Sequence, residues 1–128
     1  LPGGHGAVAV GVAQPALRDR PHHAGLEARR HEAAQLARDG WAQAEATIRT
    51  GEHFMVVLDE IMYPLRYGWL PLEDVLQTLR ERPSHVHVCL TGRRCPSEIM
   101  DLADTVTEMK MLKHAFKAGV PAQRGIED

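Results

Sequence analysis

The feature that most constrains the fold is a short apolar run that ends in two acids, FMVVLDE at residues 54–60. The run from Phe54 to Leu58 has no alternation of apolar and polar residues, which is typical of a strand buried on both faces of a parallel sheet. Asp59 and Glu60 follow where that strand ends. Because parallel α/β sheets bind ligands at the carboxyl ends of their strands, the run predicts carboxylates at a binding edge.

The segment before this run is predicted to form one long helix, from about Glu27 to Arg49. Its apolar residues recur at steps of three and four, which places them on one helical face. They are Ala33, Ala37, Trp41, Ala44 and Ile48. Gly51 stands where a helix ends in a left-handed cap. Gly40 lowers helix stability by roughly 1 kcal/mol relative to Ala, so the pattern leaves room for a break there.

Helices and strands continue to alternate after the two acids. The predicted elements are a helix over residues 71–82, a strand over 85–92, a short helix over 96–103 and a strand over 104–111. Pro71 suits the first helical position, and Pro83 ends that helix. The remaining residues contain too much Gly and Pro for a regular element. This order predicts an α/β fold, with a parallel sheet and flanking helices.

The first 26 residues differ from the rest in composition. They contain no Phe, Tyr, Trp, Ser, Thr, Lys or Glu, which predicts a loop or a poorly ordered segment. Val8, Val10 and Val12 alternate and could form one short strand. With 128 residues in all, we expect an atypical segment over 1–26 and one domain over 27–128.

Composition excludes several classes of protein. A net charge of −2 gives no basic field for nucleic acid. No apolar run approaches the roughly 18 residues of a membrane span, and no signal peptide is evident. Cys89 and Cys95 form neither a disulfide framework nor a metal-ligand motif, so a reducing, cytoplasmic setting is expected.

Four apolar residues followed by Asp-Glu form a Walker B pattern, which in nucleotide-binding proteins holds Mg²⁺ beside phosphates. The pattern is weak alone, because any strand can end in solvated acids. Its usual companion, a G-x-x-x-x-G-K-S/T phosphate loop, is absent from this sequence. The only lysines are Lys110, Lys113 and Lys117.

A second candidate, Thr91-Gly92-Arg93, follows the next strand. Arginine there is suited to bidentate binding of phosphate or carboxylate, although a solvated loop arginine is the alternative. His85 and His87 lie on one strand face and could share a metal. No Cys-x-x-Cys or His-Glu-x-x-His motif accompanies them, so a structural role is favoured.

Three aromatic residues, Tyr63, Tyr67 and Trp69, follow the two acids closely. Packing against the next helix is the favoured role, and stacking on a ligand is the alternative.

Several short motifs occur in order along the second half of the chain. They are Leu-Asp-Glu at 58–60, Thr-Gly-Arg at 91–93, Ala-Asp-x-Val-Thr-Glu-Met at 103–109, Lys-His-x-Phe-x-Ala-Gly at 113–119 and Ala-Gln-x-Gly-Ile-Glu at 122–127. With these motifs the chain resembles the C-terminal part of the ATP:corrinoid adenosyltransferases, over about residues 29–128. The resemblance implies a P-loop NTPase-like (RecA-like) fold, N-terminally incomplete here.

The resemblance also implies an activity. Such enzymes transfer the 5′-deoxyadenosyl group of ATP to the Co(I) of a corrinoid in cobalamin biosynthesis or salvage, with Mg²⁺. Asp59 and Glu60 are the implied metal ligands, and Glu60 is the catalytic candidate. The implied nucleotide- or corrinoid-binding residues are Thr91, Gly92, Arg93, Lys113 and His114. Gly119, Gln123 and Gly125 complete the tail signature without individual roles.

The departures from the family pattern concern its N-terminal half. The family's Gly-x-Gly-Lys-Gly-Lys-(Ser/Thr)-Thr loop and its aromatic Gly-Phe-x-Trp segment are missing here. We expect a truncated or disrupted coding region, or else a diverged subunit that borrows its phosphate loop from a partner. The isolated chain is then predicted to bind ATP weakly, to have little activity and to self-associate. A homodimer and a non-catalytic binding subunit remain alternatives.

Overall fold

A computed structural model describes residues 6–13, 25–113 and Gly119. The elements are β1 (Val8–Ala13), α1 (Leu26–Thr50), β2 (Met55–Leu58), α2 (Met62–Arg66), α3 (Leu72–Glu81), β3 (His87–Arg93), α4 (Ser97–Leu102) and β4 (Thr105–Met109). The predicted alternation of helices and strands is confirmed. The short strand suggested by the three alternating valines is present as β1, whereas α2 was not predicted.

The four strands form one parallel sheet in the order β2–β3–β1–β4. The predicted α/β class is therefore confirmed. Because the strands are parallel, all of their carboxyl ends lie along one edge. Strand β2 pairs directly with β3, so the residues that follow these two strands are neighbours.

Helix α1 runs without a break through Gly40. Its apolar face buries Trp41 and Ile48, which are 7% and 0% exposed. Gly51 ends the helix at φ 70°, and its N–H reaches the Ile48 carbonyl. No helix in the described ranges, α1 included, is long and apolar enough to cross a membrane.

One face of the sheet carries the core. The fully buried side chains there come from β1, β3 and the helices packed on them; they include Val8, Ile48, Val75, Leu79, Val88, Leu90 and Ile99. Burying a side chain of this kind stabilises the fold by about 1.5–3 kcal/mol. This packing fixes the sheet on which the polar edge residues stand.

The other face of the sheet, called here the open face, shows that the prediction of a strand buried on both faces is wrong. Strand β2 is not buried on both sides, because Met55 and Val57 are 52% and 57% exposed while Leu58 is buried. The reason is that β2 lies at the sheet edge and α1 and α3 pack on the Leu58 side. An apolar run without alternation does not reveal which of its faces has a covering element.

The start of β1 is held by two charged side chains. The backbone N–H of Val8 donates to Asp104 Oδ2 at 2.7 Å. Arg82, with a side chain 16% exposed, donates to the carbonyl oxygens of Leu79, Val86 and Gly6. These bonds align β1 with its neighbours at the amino edge of the sheet.

Candidate functional site

The ends of β2 and β3 are joined by one hydroxyl group. Thr91 Oγ1 donates a hydrogen bond to Asp59 Oδ1 at 2.5 Å. The same oxygen accepts a hydrogen bond from the backbone N–H of Glu60 at 2.9 Å. Thr91 therefore holds the Asp59 carboxylate and the backbone of Glu60 in position. The parallel pairing of β2 and β3 brings these groups within reach of its hydroxyl.

Two residues beyond these strand ends adopt the left-handed backbone conformation. Glu60 has φ 55° and Arg94 has φ 57°, and they are the only non-glycine residues with positive φ in the part of the chain that the structure describes. This conformation costs roughly 1–2 kcal/mol per residue. Residues held in this way cluster at functional sites, so both turns favour a binding role for this edge.

Gly92 allows α2 to lie close to β3. It is buried with φ 145°, and an added Cβ would lie 2.6 Å from Met62 Cβ and Cγ. A side chain at position 92 would therefore push α2 away from the sheet. The structure gives Gly92 a steric role, and direct contact with a ligand remains a prediction.

A cavity of about 210 Å³ opens beside the acids, lined by Glu60, Tyr63, Arg66 and Arg93. It combines a carboxylate with two guanidinium groups. Arginine suits phosphate oxygens, and a carboxylate suits a cation bound to them. The predicted candidates Glu60 and Arg93 are thus brought together.

A second cavity, of about 350 Å³, lies on the other side of the acids between α1 and β2. Its lining is mainly apolar and includes Trp41, Leu58 and Leu70 beside Asp59 and Glu60. Glu60 therefore lines both a polar cavity and a mainly apolar one, whereas Asp59 lines the apolar one.

The donor set fits a magnesium ion. Asp59 uses one oxygen for Thr91, and its other oxygen has no hydrogen-bond partner among the described residues. The carboxylate of Glu60 likewise makes no hydrogen bond or ion pair within that part of the chain. Since Mg²⁺ is usually held by one or two carboxylates together with substrate phosphates and water, both side chains are suitable ligands.

An aromatic cluster, defined as Tyr63, Tyr67 and Trp69, borders this site. The three rings contact one another, with Tyr63 and Tyr67 centroids 4.7 Å apart. Tyr63 and Tyr67 are 51% and 47% exposed, and Trp69 is half-buried. Packing against the next helix and stacking on a ligand both stay predictions. The spacing of four between Tyr63 and Tyr67 on the unpredicted helix α2 is the signal that could have revealed a shared exposed face.

Within the part of the chain that the structure describes, the candidates from the C-terminal motifs are not seen at the polar cavity that Glu60 lines. Lys113 is exposed beyond β4 and does not line the cavity that holds Glu60. His114, Gln123 and Gly125 lie outside the described residues, and Gly119 has φ 83°.

The prediction that His85 and His87 share one strand face is wrong, because His85 lies in the turn before β3 and β3 begins at His87. Each histidine has a structural partner. His85 Nε2 lies 2.7 Å from the Gly51 carbonyl oxygen, and His87 Nδ1 accepts from the Ala7 N–H. No group of three metal-ligating side chains occurs within residues 6–13 and 25–113.

Comparisons with known proteins agree with this geometry. A sequence model of the family described as ATP:corrinoid adenosyltransferase BtuR/CobO/CobP matches residues 16–127. The corrinoid adenosyltransferase of Escherichia coli K12 is 48% identical over 90 residues, 70% of this chain and 46% of that protein. The corrinoid adenosyltransferase CobA of Salmonella typhimurium is 56% identical over 73 residues, 57% of this chain and 37% of that protein.

A third relative, the corrinoid adenosyltransferase of Pseudomonas aeruginosa, is 43% identical over 91 residues, 71% of this chain and 45% of that protein. The chain thus spans less than half the length of these relatives. The family match nevertheless covers most of its residues, including β2, β3, β4 and the polar edge. This chain belongs to the ATP:corrinoid adenosyltransferase family.

Proposed function

We propose that this protein takes part in transfer of the 5′-deoxyadenosyl group from ATP to the Co(I) of a corrinoid. The cobalt electron pair forms a Co–C bond at ribose C5′, the C5′–O bond breaks, and triphosphate leaves with the electron pair of the C5′–O bond. No side-chain nucleophile is required, so the protein acts by positioning and electrostatic stabilisation. The observation that carries the proposal is the convergence of Asp59, Glu60 and Arg93 on one edge.

The roles follow from the contacts at that edge. Asp59 and Glu60 are the proposed Mg²⁺ ligands, and Glu60 is the catalytic candidate because it also lines the cavity. Bound Mg²⁺ would neutralise charge on the triphosphate. Arg93 is the proposed phosphate contact, which the neighbouring Arg66 in the same cavity supports. Thr91 is the proposed positioning residue for Asp59 and for the backbone of Glu60.

A source of phosphate-binding backbone amides must complete the site. This sequence has no G-x-x-x-x-G-K-S/T loop, and such a loop supplies several charge-assisted hydrogen bonds of roughly 1.5–3 kcal/mol each. We therefore propose that these 128 residues alone bind Mg-ATP weakly and have impaired activity. Lys113 and His114 are further proposed ligands for the nucleotide or the corrinoid.

The alternative is a non-catalytic subunit that binds a corrinoid or a nucleotide and needs a partner with a phosphate loop. The carboxylates of Asp59 and Glu60 beside Arg93 favour the enzymatic proposal over a subunit that binds only a corrinoid, because a corrinoid-binding surface alone would not need them. A cytoplasmic setting, a role in cobalamin biosynthesis or salvage and a homodimer belong to the proposal as well.

An anaerobic transfer assay tests the function. Reduced corrinoid, ATP and Mg²⁺ are mixed with the chain and with a phosphate-loop-bearing N-terminal segment of a relative, and adenosylcorrinoid is measured. We expect product only when both polypeptides are present. No product from the combination would favour the non-catalytic subunit.

Matched variants connect the assay to the site. Glu60→Gln removes a carboxylate at the edge and should reduce transfer by at least about tenfold. Glu52→Gln alters an exposed glutamate before β2 and should have no effect. Calorimetric titration of the chain alone with Mg-ATP completes the test, since micromolar affinity would contradict the need for an external loop.

A further inference from the structure

The aromatic cluster shares its cavity with the charged groups of the site. Tyr63 lines the same 210 Å³ cavity as Glu60, Arg66 and Arg93. An aromatic ring and two guanidinium groups thus face one small space. Exposed aromatic surface of this kind is characteristic of binding sites rather than of ordinary protein surface.

The ring of Tyr63 is held in position by its neighbours. The centroid of the Tyr67 ring lies 4.7 Å from that of Tyr63, and the Trp69 ring contacts Tyr63 edge-on with centroids 5.6 Å apart. Trp69 in turn stacks on Tyr67, with 24° between the two planes. A ring supported on two sides loses little freedom when a ligand stacks on it, so less binding energy is lost to ordering.

Positive charge surrounds the cluster. The guanidinium carbon of Arg66 lies 5.6 Å from the centroid of the Tyr67 ring. Burial and the hydrogen bond with Tyr67 raise the pKa of Tyr63, whereas the nearby charges of Arg66 and Arg30 act to lower it. The surroundings therefore suit a ligand that carries both a flat ring and negative charge.

We propose that Tyr63 is the stacking residue for the purine base of the nucleotide, with the phosphates directed towards Arg93 and Glu60. This inference rests on the proposed function. Of the two proposed substrates, ATP is the one that joins a flat ring to a polyanion. The cavity is also smaller than the roughly 300–1,000 Å³ of a site enclosing a whole ligand, which suits one base rather than a corrin ring.

Equilibrium dialysis of the chain, mixed with Mg²⁺ and with the phosphate-loop-bearing segment of a relative, compares ATP with inorganic tripolyphosphate, which carries the charge without the base. Replacing an aromatic platform by Ala weakens base binding by about 5- to 150-fold. We expect Tyr63→Ala to reduce ATP affinity within that range and to leave tripolyphosphate affinity unchanged. Tyr63→Phe keeps the ring and should retain the affinity for ATP.

Phe54→Ala is the matched control, because Phe54 is an exposed aromatic residue before β2, at the amino edge of the sheet. It should change neither affinity. Tyr67→Ala is a second variant, expected to lower ATP affinity by a smaller factor because it removes a support rather than the platform. Circular dichroism confirms that each variant is folded.

The outcomes separate the two levels of the proposal. Equal ATP affinity in wild type and Tyr63→Ala would overturn the stacking role while leaving the proposed function intact. Weakened binding of cobinamide, a corrinoid, with unchanged ATP affinity would also overturn it. If the wild-type chain mixed with that phosphate-loop-bearing segment binds neither ATP nor tripolyphosphate at millimolar concentration, the proposed function is overturned as well.

Discussion

Thr91 Oγ1 donates to Asp59 Oδ1 at 2.5 Å, so a single side-chain hydrogen bond links the strand that carries the acids to its neighbour. The backbone N–H of Glu60 donates to Thr91 Oγ1. The Thr91 hydroxyl group therefore both donates and accepts a hydrogen bond within the protein. These hydrogen bonds support a positioning role for Thr91, and the nucleotide contact implied by the Thr-Gly-Arg motif stays a prediction.

Substitution of Thr91 by Val should disorder both acids. Loss of a supporting hydrogen bond typically reduces metal affinity by about 10- to 100-fold. We expect the Mg²⁺ concentration for half-maximal transfer in the two-polypeptide assay to rise by that factor, while the free energy of unfolding falls by only about 0.5–1.5 kcal/mol. Thr91→Ser retains the hydroxyl and should behave like wild type; if it is as defective as Val, the hydroxyl is not responsible.

Gly92→Ala should destabilise the fold through a steric clash. The new Cβ would lie 2.6 Å from Met62 atoms, and the alanine would be held at an unfavourable φ of 145°. Together these effects should lower the free energy of unfolding by about 2 kcal/mol or more. Gly40→Ala is the matched control, because no atom lies within 4 Å of its added Cβ. That change should stabilise α1 by up to about 1 kcal/mol. Urea unfolding measures both, and equal effects would contradict the steric account.

Arg82→Ala should loosen the start of β1. It removes the donor to three carbonyl oxygens, and the side chain is only 16% exposed. We expect a loss of roughly 1–3 kcal/mol in the free energy of unfolding. Arg80→Ala breaks only the exposed pair with Glu73 and should change stability by less than about 1 kcal/mol. Comparable losses in the two variants would contradict an anchoring role for Arg82.

The thiol of Cys95 should react slowly with alkylating reagents. Burial raises the pKa of Cys95 to about 11, and the thiolate is the reactive form. In a Cys89→Ser variant, the rate of iodoacetamide labelling should therefore reach half its maximum only near pH 11. The same variant in urea should reach half its maximal rate near pH 9, the ordinary pKa of the thiol, and should level off about one pH unit higher. A half-maximal rate near pH 9 in the folded chain would contradict the burial effect.

The same pKa shift affects stability. The folded state favours the protonated thiol, so the contribution of Cys95 is fully present below about pH 9 and is lost as the pH rises towards 11. Unfolding midpoints in urea should fall faster above pH 9 in wild type than in Cys95→Ser. Parallel curves would show that Cys95 makes no such contribution.

The sequence predicts the polar edge well because two rules act together there. An apolar strand ending in Asp59 and a second ending in Arg93 must meet if the strands are parallel neighbours, and they do. The order of strands was not predictable in this way, since nothing in the alternation of three valines places β1 between β3 and β4. That placement depends on contacts with Arg82 and Asp104, which are distant in sequence.

Exposure was the property least accessible from the sequence. Leu58 is buried and Val57 is exposed, although both are apolar residues of one strand. The sequence does not reveal that helix α1 packs against β2 on the Leu58 face. The sequence likewise does not reveal that Tyr63 lines a cavity. Tyr63 follows the turn at Glu60, whose left-handed backbone has no signature in a glutamate.

The open face of β2 has a practical consequence for handling the protein. Met55 and Val57 stand on a strand whose outer edge has no partner within the described part of the chain, and such edges favour intermolecular pairing. Val57→Lys should improve colloidal stability, seen as reduced light scattering at high concentration. The purified chain should therefore be stored at low concentration, or the Val57→Lys variant should be used, before any ligand titration.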